Sequence, residues 1–285
     1  NLKPLNQNTE GIYEAWISFP ALLDHDDDLY ISLGRFNISP AGQLVDNLGN
    51  PKTLRLKYLP PNINSAEDAI VTIELPGDND TLPGTRLIGG PVTQSPEYLT
   101  ANLDMKYTDV LGIIAQNFAN ATAGYILNTP STISNDSDYF NGLWFCDTLQ
   151  NSLINGLLTI PDSLDWEYEG WIVKTTDSTY YSIGKFLDPY VSDRDGKGFY
   201  GGPDPGYNKP GSDWINNNPP INDLRSSFFQ LMITLEPKNE LALSTPFFTR
   251  VFFNSTIGIL QKGEIANLGN VSSALPTAAI RVSKQ

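Results

Sequence analysis

Cysteine and histidine are almost absent: Cys146 and His25 are the only ones in 285 residues. A single cysteine excludes an intrachain disulfide, so the fold draws no stability from cross-links. Beside Leu143-Trp144-Phe145, Cys146 reads as a small buried core residue, and a nucleophilic thiol would need a histidine partner. His25 lies instead within the acidic run Asp24-His25-Asp26-Asp27-Asp28. No Cys/His metal set can be assembled, no serine sits in a Gly-X-Ser-X-Gly elbow, and no phosphate-binding glycine loop is present. Apolar runs fall short of the roughly 20 residues a membrane-spanning helix needs. Charge is also sparse, at 18%, and cations are the scarcer sign: 18 Lys and Arg against 32 Asp and Glu, for a net charge of -14. Such a surface repels nucleic-acid phosphates and anionic headgroups, so neither nucleic-acid binding nor membrane insertion is expected.

Asn, Ser, Thr, Gly and Pro take the place of the missing charge, while 40% hydrophobic and 11% aromatic residues supply material for cores. Short alternating stretches between frequent turns point to an all-β chain. Several of these stretches recur. Tyr13-Glu14-Ala15-Trp16-Ile17 is answered by Tyr168-Glu169-Gly170-Trp171-Ile172, and Ser32-Leu33-Gly34-Arg35-Phe36 by Ser182-Ile183-Gly184-Lys185-Phe186. Val71-Thr72-Ile73-Glu74-Leu75 is answered by Ile233-Thr234-Leu235-Glu236-Pro237, and Pro83 before Leu87-Ile88 by Pro246 before Phe247-Phe248. Matching blocks in the same order imply two tandem β-sandwich domains related by internal duplication. The expected boundaries are 1–100 for a shortened first copy, 101–123 for a bridge, and 124–285 for a second copy with a long 187–224 loop and a C-terminal tail. One short helix is expected in the bridge, over Tyr107–Phe118, capped by Thr108 or Asp109. A strand with one wet face is expected over Thr53–Leu59, and Gly34 is expected to mark a bulge.

This pattern, Tyr-Glu-X-Trp-Ile, Ser-X-Gly-X-Phe, an apolar strand ending in Glu-Pro, then Pro before a last strand, resembles the extracytoplasmic β-sandwich of anti-sigma-K factors. The likeness runs over about Tyr125–Phe253, and over Gly11–Ile88 in the first copy. It implies the sandwich and an extracytoplasmic address. It implies no sigma-factor regulation, because no sigma-binding or membrane segment accompanies it, and it carries no catalytic residues. The first copy starts almost at its Trp strand and lacks counterparts of the opening strands of the second. Its exposed edge must be covered, either by the chain's own bridge, arm or tail, or by a strand donated from a neighbouring chain, which in a head-to-tail sense builds a filament.

Few residues offer chemistry. Asp193-Arg194-Asp195-Gly196 resembles the start of a calcium loop, with Asp188 near it, but no Glu closes the pattern; Asp188, Asp193 and Asp195 are the candidate ligands, and calcium the candidate ion. Asp24, Asp26, Asp27 and Asp28 form a second acidic cluster. Glu14 and Glu169 stand in separate domains and cannot act together as glycosidase carboxylates, which lie roughly 5–10 Å apart; they, and the matching Glu74 and Glu236, are expected to cap loop amides or face water. Trp16, Trp144 and Trp171 read as core, whereas Trp166 and Trp214 read as exposed enough to stack on a sugar. Sequons at Asn37, Asn79, Asn120, Asn135, Asn254 and Asn270 permit glycosylation. The chain begins at Asn1 rather than Met and reads as a product from which an export signal has been removed. The expected function is a non-catalytic, secreted or cell-surface structural protein, self-associating as a filament or sheath subunit or contacting other surface proteins and glycans. The alternatives are a carbohydrate- or ligand-binding module and, third, a carboxylate-dependent hydrolase.

Overall fold

The computed structural model of the chain describes residues 2–20, 29–57, 60, 62–129, 135–146, 151–194, 209–211, 223–238 and 244–284. The chain is all-β. In order, its strands are β1 (Ile12–Phe19), β2 (Leu29–Ile38), β3 (Leu44–Val45), β4 (Asp68–Glu74), β5 (Thr85–Pro91), β6 (Thr93–Gln94), β7 (Tyr98–Asp104) and β8 (Ala123–Leu127). They continue as β9 (Leu143–Trp144), β10 (Trp166–Lys174), β11 (Thr179–Phe186), β12 (Phe229–Pro237), β13 (Arg250–Asn254), β14 (Ala266–Leu268) and β15 (Thr277–Ser283). The chain divides into two compact units, one holding Asn1–Ala115 with Leu275–Gln285, the other Gln116–Lys238 with Leu243–Ala274.

The first unit is one eight-stranded sheet in the order β15-β7-β5-β4-β1-β2-β3, with β6 paired to β7. β1 lies between β2 and β4, and all but its first residue are buried, which is why apolar residues occupy both of its faces. The register with β2 shifts between Ala15 and Trp16, opposite Gly34, whose φ of 115° is open only to glycine at low cost. The expected bulge is therefore present. Residues assigned by sequence to the bridge and the tail belong to this sheet: β7 and β15 pair over seven residues, from Thr277↔Asp104 to Ser283↔Tyr98. The sheet is thus extended in cis by the chain's own C-terminal strand.

β5 and β7 meet through a narrow gap. A Cβ on Gly90 would stand 2.0 Å from the Asn102 carbonyl oxygen. Gly90→Ala is expected to force these strands apart and to cost about 2–4 kcal/mol, the scale of a steric clash inside a packed sheet. Urea unfolding followed by circular dichroism measures it.

The second unit has two sheets, a four-stranded one in the order β11-β10-β12-β13 and a three-stranded one in the order β14-β8-β9. They face each other in the manner of a sandwich. Phe145, just after β9, packs against Gly170 of β10, where an added Cβ would come within 2.8 Å of its ring. Phe118 meets Tyr168 edge-on at 6.3 Å, and the Tyr125 hydroxyl donates to the Ile257 carbonyl at 2.7 Å.

Two expected elements differ. The helix α1 spans only Ile113–Asn117, not Tyr107–Phe118, because Gly112 with φ 51° breaks the backbone before it; a 3₁₀ turn over Phe118–Asn120 follows. Another short helix, α2, spans Asn135–Asp138. The stretch from Thr53 forms no regular strand. It runs extended along β2, with Arg55 N donating to Leu33 O at 2.9 Å and Lys57 N to Ser32 O at 3.0 Å.

Candidate functional site

Each unit contains a tryptophan-centred polar framework, assembled from the recurring blocks. In the first, the Trp16 indole N–H donates to Thr72 Oγ1 at 2.8 Å, and the Thr72 hydroxyl donates to Glu74. In the second, the Trp171 indole donates to Thr234 Oγ1 at 3.1 Å, and the Thr234 hydroxyl donates to Glu236. Antiparallel pairing puts these groups in register, since Trp16 lies opposite Ile70 and Trp171 opposite Met232, two pairs along from the threonines and so on the same face. The proline that follows each block has a structural meaning. The residue after Pro83, Gly84, donates its backbone N–H to Glu74 at 3.1 Å, and the residue after Pro246, Phe247, donates to both oxygens of Glu236 at 2.9 and 3.0 Å.

Glu14 and Glu169 neither cap loop amides nor face water as expected. Both are buried and ion-paired, because a carboxylate on a strand covered on both faces needs charged or hydroxyl partners. Ser32 Oγ donates to Glu14, and the Gly34 N–H in turn donates to Ser32 Oγ at 2.9 Å. Arg35 Nε and Lys57 Nζ reach Glu14 at 2.7 and 3.3 Å. The counterpart is Ser182 Oγ on Glu169 at 2.5 Å, with Lys185 Nζ at 3.5 Å from Glu169 and 3.1 Å from Glu167. Burial works against the Lys185 ammonium, yet Glu169 and Glu167 outweigh it and its pKa is raised. Burial raises the Glu74 pKa to about 7, partly offset by the Thr72 hydroxyl and reinforced by the nearby Asp78 carboxyl. These carboxylates bond neighbouring strands to one another, and Glu167, with Lys185, Arg194 and Lys238, also lines an open surface cavity of about 300 Å³.

The other expected site residues are scattered. Asp188 accepts from the Tyr190 backbone N–H at 2.8 Å, in a local turn. Asp193 is buried against Gly184 and accepts from the Gly211 N–H at 2.9 Å. Asp195 lies outside the described residues, as do Asp24, Asp26, Asp27, Asp28, His25 and Trp214. Among the described residues no group of three or more His, Cys, Asp and Glu side chains could hold a metal ion. Trp166 corrects the expectation of exposure: it is 1% exposed, with its ring 6.1 Å from Phe247, because the strand carrying it is covered on both faces. Trp16, Trp144, Trp171 and Cys146 are buried as expected. Of the sequons, Asn79, Asn120 and Asn270 are exposed. Asn37 is buried, its amide exchanging hydrogen bonds with Leu5 N and O at 3.0 and 2.8 Å. The Asn254 and Asn270 amides tie loops together, to Asn267 O at 2.8 Å and to Phe118 O at 2.7 Å. For Asn135, at the start of α2, the structure describes the backbone alone.

A groove in the first unit is the feature that sequence reasoning missed. It encloses about 480 Å³ between the two ends of the sheet. Ala15 and Val71 form its floor, Leu33 and Phe36 one wall, and Ile280 and Val282 of β15 the other. The inward residues of β15 are only half-buried, so this apolar face is incompletely covered. The sequence signal was the alternation of Ala278-Ala279-Ile280-Arg281-Val282, but nothing in it named the opposite wall. No family model, no curated protein and no solved structure matches this chain.

Proposed function

We propose that this chain is a non-catalytic, self-associating structural protein of the cell surface or extracellular space, built from one β-sandwich design used twice. The recurrence of the Trp–Thr–Glu and Ser–Glu–cation bonds at corresponding positions carries this reading, since it commits the chain's buried carboxylates to architecture in both units. An enzyme of the carboxylate-dependent kind needs a pair of such groups facing a cleft. The acidic, loop-rich composition, the exposed Asn79 and Asn120 sequons and the resemblance to an extracytoplasmic sandwich support the address. No helix among the described residues is long and apolar enough to cross a membrane. The burial of Trp166 weakens the sugar-binding alternative, which keeps only Trp214 of its two stacking candidates.

The purified full chain is expected to form concentration-dependent oligomers or polymers in sedimentation velocity and electron microscopy. A monodisperse monomer from micromolar to millimolar concentration would sink the self-association.

A further inference from the structure

We propose that the groove of the first unit binds a free amphipathic monoanion with a linear apolar tail, of the medium-chain carboxylate class, tail inward and head group at Lys52. The inference goes beyond self-association and does not depend on it. The groove is a product of curvature. Phe36 of β2 and Ile280 of β15 sit on strands separated by four others in the sheet order, yet both line it. The sheet therefore curls around the space, and its concave face is available to a ligand in the way the mouth of a β-barrel is. The volume of about 480 Å³ falls in the size range of small-molecule sites. At roughly 30 Å³ for each water-sized group, such a space admits on the order of fifteen non-hydrogen atoms.

The groove runs from a dry floor to a wet mouth. Ala15 and Val71 at the floor are 1% and 2% exposed, whereas Leu54, Ile280 and Val282 on the walls are half-buried and Leu44 is 38% exposed. A linear tail suits this gradient, because it displaces water from the half-buried walls and leaves one end in solvent. The floor is deep because Ala15 is small. Gly170 of the second unit stands at the matching register, each residue opposite a left-handed glycine, Gly184 or Gly34, and each just before the indole. There the Phe145 ring lies within 2.8 Å of where a Cβ on Gly170 would stand. The second unit fills with its own aromatic ring the face that lines a groove in the first.

Charge selects the head group. The described residues that line the groove include Lys52 and Arg281 and no acid, in a chain of net charge -14. Arg281 is stacked on Tyr98, its guanidinium carbon 3.6 Å from the ring centroid. Lys52 makes no ion pair among the described residues. Asp46 senses the Lys52 charge, but its carboxylate already accepts from the Leu48 and Asn50 backbone N–H groups at 2.9 Å each. Half-buried beside an apolar wall, the Lys52 ammonium attracts an anion more strongly than it would in open water. One such cation suits a single negative charge. A bilayer is the poorer source of the tail, since an anionic membrane surface is repelled by the charge of the whole chain.

The test titrates the full chain with decanoate below its micelle-forming concentration, read by calorimetry, beside decyl glucoside, which has the same tail and an uncharged head. Decanoate is expected to bind saturably at one site per chain and more tightly than the glucoside. Lys52→Glu is expected to weaken decanoate about fivefold or more and to leave the glucoside unchanged. Ile280→Asp, which puts a charge in the apolar wall, is expected to weaken both at least about tenfold. Circular dichroism should be unchanged in Lys52→Glu, a substitution at the mouth, which keeps the test valid if Ile280→Asp fails to fold. Absence of saturable decanoate binding overturns the proposal, as does a Lys52→Glu chain that binds decanoate like the wild type or a glucoside affinity equal to that of decanoate. Co-flotation with phosphatidylcholine vesicles containing phosphatidylglycerol, lost in Ile280→Asp and unaccompanied by binding of free decanoate, assigns the groove to a bilayer and overturns the free-ligand reading. Sedimentation velocity without ligand reports self-association separately, so a chain that stays monomeric yet binds decanoate overturns that reading and leaves the groove standing.

Discussion

Trp171→Ala is expected to destabilise the second unit by about 3–5 kcal/mol, and Trp16→Ala to do the same to the first. Both indoles are 2% exposed, and Trp171 packs with Val173, Met232, Tyr180 and Phe253. Truncation leaves a void that a sheet bonded on both sides cannot close, and it strips Thr72 or Thr234 of a buried donor. Phenylalanine separates the two contributions. It keeps most of the apolar volume and loses only the indole bond, so Trp171→Phe and Trp16→Phe are each expected to cost about 1–2 kcal/mol. With two compact units the unfolding curve can contain two transitions, and each pair of variants should shift a different one. Guanidinium titration read by circular dichroism decides this. Costs that differ by more than about 2 kcal/mol between corresponding variants would remove the energetic equivalence of the two frameworks, and with it the case for one design used twice.

Glu74→Gln is expected to stabilise the chain at pH 8 by on the order of 3 kcal/mol and to leave it unchanged near pH 4. Glu74 is fully buried, and its pKa rises from an unfolded value of 4.5 to about 7. The folded state therefore holds the proton more tightly than the unfolded chain. That contribution is complete below about pH 4.5, declines as pH rises, and is gone above about pH 7, where a buried carboxylate remains. Glutamine cannot ionise. Its carbonyl can still accept from Thr72 and Gly84, and its amide can donate toward Asp78. Asp78 acts in the opposite direction: the Asp80 backbone N–H, then Glu74, hold its pKa low, and the stability this gives is lost only on acidification. Melting temperatures of the two proteins across pH 4–8 measure the effect. Parallel curves would show that Glu74 does not titrate in this window.

Much of the architecture was legible because residue type and backbone geometry are tightly linked in these strands. Gly34 announced a bulge, since only glycine takes its left-handed φ without strain, and Gly184 has the same conformation at the corresponding place. Apolar surroundings announced Trp16 and Trp171 as core residues, and both of their strands are buried. Glu14 and Glu169 were misread because a glutamate in an apolar strand looks exposed until its partners are known, whereas Glu74 and Glu236 do accept loop amides, from Gly84 and Phe247. Glu14 owes its burial to Arg35 and Lys57, 21 and 43 positions away. Trp166 was misread for the same reason, its cover being Phe247, 81 positions away in the segment before β13. The helix was overextended because Val110, Ile113 and Ile114 keep helical spacing through Gly112, where the backbone cannot follow.

The order of residues alone determined that the chain is all-β, that several blocks recur in the same order, and that a single cysteine permits no intrachain disulfide. These are local properties of periodicity and composition. Only the tertiary structure decided that the last strand, β15, returns to pair with β7, that Glu14 and Glu169 are sealed inside ion-paired frameworks, and that an apolar groove opens beside the returning strand. Each of these depends on contacts between residues far apart in sequence, and local patterning does not encode where such partners meet.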